Sequence, residues 1–334
     1  MLKRKLGSSS LHSSILGLGA LHFGVFLDEK ESTLLLNNAL DQGITFIDTA
    51  PLYGNGQSEA IVGSALKGRR DEVILSTKAG LIPTKRADGS FAVKLDSLTE
   101  KSLRSHVESS LRALRTDRID LFQLHAFNPS TPLDETLGAL DALKQEGKIL
   151  AYGCSNFSPS QLNAINRIAD ACKYNRMVSY QAHFNMIERR VDVEARPLCV
   201  QENTGIICNR ALARGLLTGK YIRGQAAPPE SRAATSQRVS RWLTESTYSL
   251  VESLSEIATC YGKTLVELAI AWLLSRLGVC TALVGVRNNA QLTECVNGAS
   301  WVLEKDEVQQ IDESIRSLKL WDYIHSLPKE YLET

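Results

Sequence analysis

The chain has 334 residues, which is long for one ordinary hydrophobic core but usual for a barrel or a large α/β domain. Hydrophobic residues make up 43% and charged residues 22% of the sequence, a balance typical of folded globular proteins and unlike that of disordered ones. The formal net charge of +1 leaves no overall field to hold nucleic acid or an anionic membrane, so any basic patch is local.

The cysteines indicate reduced thiols. They are odd in number and none lies in a C-x-x-C pair, so the sequence predicts neither a disulfide framework nor a zinc site of that kind. The seven are Cys154, Cys172, Cys199, Cys208, Cys260, Cys280 and Cys295. We therefore expect a cytoplasmic protein with no metal site.

The N-terminus has the charge-then-apolar order of a signal peptide, since Lys3-Arg4-Lys5 precedes the apolar run from Ile15 to Leu27. No small-residue cleavage site follows Leu27, and the run suits a short strand with its loop better than an inserted helix. No other window approaches the roughly 18 apolar residues that a membrane span needs. The sequence therefore predicts no membrane segment.

Along the chain, short β-branched or apolar runs alternate with longer segments whose apolar residues recur at helical spacing. The predicted strands are Ile15–Gly19, Ile44–Asp48, Val73–Lys78, Ile119–His125, Ile149–Ser155, Val178–Gln181, Gly205–Asn209 and Cys280–Gly285. Helix starts are predicted at Thr131-Pro132 and at Ser158-Pro159, because each pair puts a capping hydroxyl before a proline at the first helical position.

Eight strand-then-helix units are the count of an α/β protein with a (β/α)8 TIM barrel. A doubly wound sheet is less favoured because Gly17-Leu-Gly19 lacks the third glycine of G-x-G-x-x-G. We expect one domain over 1–334, with residues 1–14 as a β-hairpin that plugs the barrel bottom. Two pieces lie outside the repeat: segment 222–240 with a helix near Trp242–Tyr261, and the C-terminal tail from Lys305. Both are expected over the rim.

Polar residues end or follow the predicted strands at the rim where such barrels carry their active sites. They are Asp48, Tyr53, Lys78 and His125. A nearby ammonium lowers the pKa of a phenol, and a carboxylate keeps a buried lysine charged, so Lys78 and Asp48 suit Tyr53 to general acid catalysis. His125 is expected to donate a hydrogen bond to a substrate oxygen. This set predicts carbonyl reduction with a separate hydride source.

Several ordered motifs carry a family resemblance across nearly the whole chain. They are Phe46-Ile-Asp48-Thr-Ala-x-x-Tyr53-Gly, Ser76-Thr-Lys78, Asp120-Leu-Phe-Gln-Leu-His125, Gly153-Cys-Ser155-Asn156-Phe, Leu212-Ala-Arg-Gly-Leu-Leu-Thr-Gly-Lys220 and Val284-Gly-Val-Arg287. With them the sequence resembles the aldo-keto reductase superfamily. The resemblance implies that Asp48, Tyr53, Lys78 and His125 are the catalytic tetrad of a reversible NADPH-dependent reduction of aldehydes or ketones.

The resemblance also implies the cofactor contacts. Ser155, Asn156 and Gln181 match the residues that hold the nicotinamide carboxamide, and Asn209 stands where many relatives stack a Tyr or Phe. The remaining predicted contacts, with the pyrophosphate loop first and the adenosine end second, are Leu212, Arg214, Gly215, Leu216 and Lys220, then Gly285, Arg287, Gln291 and Glu294. Arg287 is expected to bind a 2′-phosphate, which predicts NADPH over NADH.

The substrate side is predicted from the rim loops and the tail. Its expected residues are Leu21, His22, Phe23, Ala126, Phe127 and Trp321, with segment 222–240 closing over them. Because specificity lies in such loops, the sequence does not predict which small carbonyl or sugar is the substrate. A second interpretation is a regulatory subunit that binds the nicotinamide cofactor with little turnover.

Overall fold

The computed structural model describes residues 1–85 and 91–317. Its centre is a closed barrel of eight parallel strands. The strands follow one another around the barrel in chain order, and each pairs in parallel with its neighbours. This confirms the (β/α)8 barrel predicted from the sequence.

The barrel strands lie within two residues of their predicted bounds. They are β3 (Leu16–Gly19), β4 (Phe46–Asp48), β5 (Ile74–Ala79), β8 (Ile119–Leu124), β9 (Ile149–Ser155), β10 (Ser179–His183), β11 (Gly205–Asn209) and β12 (Val279–Val284). Two antiparallel hairpins lie outside the barrel. They are β1 (Lys3–Lys5) with β2 (His12–Ser14) and β6 (Leu81–Lys85) with β7 (Phe91–Leu95). The sequence predicted the first hairpin and missed the second.

Helices cover the outside of the barrel and the connections between its strands. They are α1 (Glu29–Asp41), α2 (Gln57–Ala65), α3 (Glu100–Ala113), α4 (Leu133–Gln145), α5 (Pro159–Cys172), α6 (Arg190–Glu194), α7 (Arg196–Gln201), α8 (Arg232–Thr235), α9 (Gln237–Ser240), α10 (Glu245–Cys260), α11 (Leu265–Leu274), α12 (Asn289–Ser300) and α13 (Lys305–Ser317). All residues of α11 are buried, which makes it the most deeply enclosed of these helices. The helix predicted near Trp242–Tyr261 is α10, which begins after its cap, Thr244.

The N-terminal hairpin closes the bottom of the barrel, as predicted. Leu6 lies between its strands and is fully buried. It packs in a separate apolar cluster with inward-facing residues of the strands, among them Phe46, Leu121 and Ile207. An apolar cluster therefore fills the barrel at the end that the hairpin closes.

Local capping explains one predicted helix start and corrects the other. Ser158 caps α5 through a capping box, with the amide of Gln161 donating to the Ser158 hydroxyl. Thr131 does not cap α4. The cap is Pro132, and the Thr131 hydroxyl instead accepts a hydrogen bond from the amide of Leu98 at 3.2 Å. That hydroxyl therefore ties the chain before α3 to the chain before α4.

Within residues 1–85 and 91–317, no single helix is long and apolar enough to cross a membrane. Helices α10 and α11 reach the required length and composition only as a pair, which is bent by 88°.

Segment 222–240, predicted to close over the substrate side, is partly helical, since it contains α8 and α9. Ala233 and Val239 anchor it in the core.

Candidate active site

Four polar side chains meet at the rim because neighbouring strands deliver them there. Asp48 ends β4, Lys78 lies near the end of β5, and His125 follows β8 directly. Tyr53 follows β4 on a short 3-10 turn. The Lys78 ammonium lies 2.6 Å from Asp48 Oδ2 and 3.4 Å from the Tyr53 hydroxyl. The structure thus brings together the residues predicted as a tetrad.

The lysine at the centre of this group is fully buried. Its side chain is 0% exposed and that of Asp48 is 3% exposed. Besides Asp48 and Tyr53, its ammonium donates to the carbonyl of Thr49 at 2.9 Å, so it has three acceptors. Burial by itself would lower the pKa of Lys78, but the charges of Asp48 and Tyr53 and their hydrogen bonds together outweigh burial and raise that pKa above its usual value. Lys78 therefore carries a positive charge at neutral pH.

A left-handed turn aims the tyrosine. Gly54, Asn55 and Gly56 follow Tyr53 with φ of 56°, 55° and 89°. A side chain on Gly54 would also bring its Cβ to 3.1 Å from the carbonyl oxygen of Phe23. Burial raises the pKa of Tyr53, while the Lys78 charge acts in the opposite direction. The phenol thus keeps its proton near neutral pH and has a cation beside it to stabilise the phenolate.

His125 stands edge-on to the tyrosine. The ring centroids of His125 and Tyr53 are 6.2 Å apart at an interplanar angle of 82°. Its amide donates to the Ala79 carbonyl at 2.7 Å, and its carbonyl accepts from the Asn156 side chain at 2.9 Å. Burial and the charge of Lys78 lower the pKa of His125 to about 3. The imidazole is therefore neutral at pH 7, with one N–H available to a substrate oxygen.

The predicted carboxamide-binding residues join directly to the tetrad. Gln181 donates from its amide nitrogen to Asp48 Oδ1 at 3.1 Å and accepts from the Ser155 hydroxyl at 3.4 Å. Asn156 has a left-handed backbone with φ of 56°, which turns its side chain across to the carbonyl of His125. These donors and acceptors at neighbouring strand ends fit the two polar edges of a carboxamide.

Beyond the carboxamide-binding residues, three cations come together, and the region formed by Lys220, Arg232 and Arg287 is called the cationic groove below. Burial and the charges of the two arginines lower the pKa of Lys220, and burial with the charge of Arg287 lowers the pKa of Arg232. Within residues 1–85 and 91–317 none of the three forms a salt bridge to a carboxylate. The Lys220 ammonium would lie 2.9 Å from a Cβ on Gly215, so the loop backbone passes close to the charge. Unpaired, convergent cations of this kind suit an anionic ligand.

His22 and Arg287 have further contacts in the cationic groove. The Arg232 guanidinium lies 3.4 Å from His22 Nε2, and burial with the nearby cations lowers the pKa of His22 to about 3. The Arg287 guanidinium donates to the Glu230 carbonyl at 3.1 Å and stacks 4.1 Å from the centroid of the Phe26 ring. Segment 222–240 is thereby held against the cationic groove.

The other predicted cofactor residues have varied surroundings. Arg214 pairs with Glu188 at 3.0 Å, and Gln291 accepts from the amide of Arg287 at 2.9 Å. Both contacts organise the loops themselves. Asn209 ends β11 opposite His183. The exposure of the remaining four is as follows: Leu216 is buried, Leu212 and Glu294 are half-buried, and Gly285 is exposed.

Some of the predicted substrate residues are at least partly exposed, and one is buried in the core. Leu21 is 42% exposed, and Phe127 stacks edge-on with Phe157 at 5.4 Å between ring centroids. Ala126 is half-buried next to His125. Phe23 needs correction, because its side chain is 1% exposed and packs in the hydrophobic core. Trp321 lies outside the described residues.

The sequence missed Arg232 as a site residue. It lies in the segment predicted as a closing loop, and loop composition carries no periodicity that would aim one side chain at the groove. The only local signal is Ser231, a capping residue that indicates a helix beginning at Arg232.

The comparisons with known proteins identify the family and the fold. The family model for the aldo/keto reductase family matches residues 15–316. The chain belongs to this family. It is accordingly an oxidoreductase of the class that acts on carbonyl compounds and sugars. The glycerol dehydrogenase from Gluconobacter oxydans superposes with a TM-score of 0.83 at 30% identity, covering 94% of this chain and 95% of that one.

Among curated relatives of this aldo/keto reductase, an aldo-keto reductase from Bacillus subtilis is 33% identical over 92% of this chain and 91% of its own length. A probable voltage-gated potassium channel subunit beta from Arabidopsis thaliana is 31% identical over 94% of this chain and 97% of its own length. The relatives therefore include proteins named for two different roles.

Proposed function

We propose that this oxidoreductase uses NADPH to reduce an aldehyde or ketone reversibly, oxidising a sugar or alcohol in the other direction. The observation that carries the proposal is the buried contact series from Asp48 through Lys78 to the Tyr53 hydroxyl, with the neutral His125 beside it. No nucleophile with an adjacent base takes part in this group, so its chemistry is proton transfer.

In the reductive direction Tyr53 donates its phenolic proton to the carbonyl oxygen of the substrate. The Lys78 ammonium, 3.4 Å away, stabilises the phenolate that this leaves. Asp48 keeps that ammonium charged inside the barrel, and His125 orients the substrate oxygen with its N–H. The bound nicotinamide supplies the hydride. In the oxidative direction the Tyr53 phenolate takes up the proton of the alcohol.

The cationic groove supports the choice of cofactor. Lys220, Arg232 and Arg287 lie together without a carboxylate partner in the described part of the chain, so the charges of a dinucleotide would relieve their repulsion. NADPH would bring both a pyrophosphate and a 2′-phosphate for these cations to hold. Arg287 offers a planar fork suited to the latter.

The proposal includes the setting of the enzyme. All seven cysteines are free, which favours a reducing, cytoplasmic location. We further propose that residues 1–334 form one domain that takes a small carbonyl or sugar as its partner, with neither nucleic acid nor membrane involved.

The test is turnover by the purified protein. NADPH oxidation is followed with a panel of aldehydes and ketones, and NADP+ reduction is followed with aldoses and simple alcohols. We expect at least one compound to be turned over with saturation kinetics. Tight NADPH binding without turnover of any compound would contradict the enzymatic proposal.

A second candidate function is a cofactor-binding regulatory subunit. The observation that favours it is the similarity to the plant protein named as a potassium channel subunit. The same panel separates the two functions, because a subunit of that kind needs the cofactor groove but not the proton donor. Loss of turnover in Tyr53→Phe from an active wild type would exclude it as the main role.

A further inference from the structure

The Asp48 carboxylate has contacts inside the barrel that the tetrad does not include. Its Oδ2 atom forms the ion pair with the Lys78 ammonium. Its Oδ1 atom accepts hydrogen bonds from Ser76 Oγ at 3.0 Å and from the Gln181 amide at 3.1 Å. The Gln123 amide lies 3.4 Å from the same oxygen and 2.9 Å from Ser76 Oγ. Ser76 and Gln123 are both fully buried.

Strand register explains this convergence. Ser76 is the cross-strand partner of Asp48, and Gln123 is the cross-strand partner of Lys78. Ser76 and Lys78 are two residues apart on β5, so both face the barrel interior. Each polar residue therefore lies beside one member of the charged pair inside the barrel.

Hydrogen-bond chemistry fixes the direction of the contacts. A carboxylate only accepts, so the single proton of the Ser76 hydroxyl must point to Asp48. The serine oxygen then has only lone pairs left for Gln123, which must present its NH2 group. One series of donors therefore runs from Gln123 through Ser76 to Asp48, ending on the oxygen opposite Lys78.

We propose that Ser76 and Gln123 are positioning residues that extend the tetrad by holding the Asp48 carboxylate ionised and correctly oriented toward Lys78. This inference rests on the proposed function, in which the Lys78 charge stabilises the Tyr53 phenolate. Both residues act through Asp48, the group that their side chains contact.

The energetics of a buried ion pair require such support. Removing two charges from water costs several kcal/mol per ion, and their attraction repays it only where further hydrogen bonds satisfy the carboxylate. Without the Ser76 hydroxyl, the amides of Gln181 and Gln123 are the remaining donors to Oδ1. In the proposed enzyme Gln181 also serves the carboxamide, which leaves Ser76 and Gln123 as the donors dedicated to Asp48.

The titratable groups around this carboxylate determine what a pH profile reports. Those facing it are Lys78, Tyr53 and His125 at the rim, with Glu59 behind β5, where it accepts from Thr77 at 2.7 Å. His125 titrates far below neutrality. Weaker support of Asp48 weakens the hold on the Lys78 charge, and that charge acts to lower the pKa of Tyr53. Because loss of the Tyr53 proton ends carbonyl reduction at high pH, the basic limb of kcat for reduction therefore moves to higher pH.

The first variant is Ser76→Ala. Because a hydrogen bond to a charged group is worth about tenfold or more, we expect kcat to fall about tenfold, with the KM for NADPH unchanged. The basic limb of kcat should move up by about one pH unit, since one unit corresponds to a similar change in interaction. Ser76→Thr keeps the hydroxyl and should restore both values toward wild type.

Ser179→Ala is the matched control. Ser179 is also a fully buried serine on a barrel strand, and its hydroxyl has no hydrogen-bond partner among the described residues. Its loss should leave kcat and the basic limb at their wild-type values. If Ser179→Ala shifts the limb as far as Ser76→Ala does, a general packing effect explains both and the inference is overturned.

Gln123→Met repeats the test with a side chain of similar length that cannot donate. Its direct contact with Asp48 is long, so we expect a smaller fall in kcat, about threefold, with the limb moving in the same direction. An unmoved limb and an unchanged kcat in this variant overturn the inference even where Ser76→Ala fails to fold.

Tyr53→Phe, measured in parallel, separates this inference from the proposed function. If Tyr53→Phe keeps wild-type turnover, the proposed function fails and the inference with it. If Tyr53→Phe is inactive while Ser76→Ala and Gln123→Met behave as wild type, only the inference fails.

Discussion

Arg287 provides a quantitative test of cofactor selection. We expect Arg287→Ala to weaken NADPH binding while leaving NADH binding nearly unchanged, because only NADPH carries the 2′-phosphate that the guanidinium is proposed to bind. A charged hydrogen bond contributes about 1.5–3 kcal/mol, which corresponds to a range of roughly ten- to a hundredfold.

The contacts of Arg287 narrow the expected loss of NADPH affinity in Arg287→Ala. In the free protein the Arg287 guanidinium donates to the Glu230 carbonyl and stacks on Phe26, so binding a phosphate means giving up or sharing existing contacts. Arg232 is also close enough that its charge lowers the pKa of Lys220, and it remains in the variant. Both facts favour the lower end, about a tenfold loss for NADPH. Arg232→Ala should add to the loss.

The assay is titration of each cofactor into wild type, Arg287→Ala and Arg232→Ala, followed by fluorescence. Arg69→Ala is a suitable control, because it also removes an arginine, but one that pairs with the carboxylates of Asp41 and Glu72 and is not part of the cationic groove. Equal losses for NADPH and NADH in Arg287→Ala would refute its assignment as the phosphate reader. Tighter binding of NADH than NADPH by the wild type would refute the cofactor preference itself.

Three further predictions concern the buried charge, the barrel plug and the tail. Lys78→Met removes the cation that lowers the pKa of Tyr53, so the pH limb of alcohol oxidation, which needs the phenolate, should move to higher pH, and reductive kcat should fall by orders of magnitude in steady-state assays. Leu6→Ala should cost about 2–5 kcal/mol of unfolding free energy in a urea titration, with KM unchanged, because Leu6 is fully buried far from the rim; a loss below 1 kcal/mol would contradict its role as a plug. Trp321→Ala should raise the KM of substrate much more than that of NADPH; equal effects with a lower Tm would indicate packing instead.

The tetrad was predictable from sequence because a barrel places the ends of all its strands at one rim. Asp48, Lys78 and His125 each interrupt or end an apolar run, and Tyr53 follows at a short fixed distance. Once the barrel was inferred, their convergence followed from topology alone.

The missed residues depend on register and on loop contacts. Ser76 and Gln123 acquire their roles only when cross-strand partners are known, because a shift of one residue would turn both away from Asp48. Arg232 reaches the groove through a loop whose course no periodicity specifies. Phe23 shows the reverse error: its position in a rim loop indicated a substrate contact, but the chain turns its ring into the core.

The central claim is that Tyr53 is the proton donor of a nicotinamide-dependent oxidoreductase. The most direct measurement is kcat for carbonyl reduction by Tyr53→Phe, together with the Kd for NADPH. Phenylalanine keeps the ring and its packing but lacks the hydroxyl that lies 3.4 Å from the Lys78 ammonium. We predict an unchanged Kd and a kcat lowered by about 10²–10⁴, the usual contribution of general acid catalysis. A Tyr53→Phe enzyme with wild-type kcat would contradict the account.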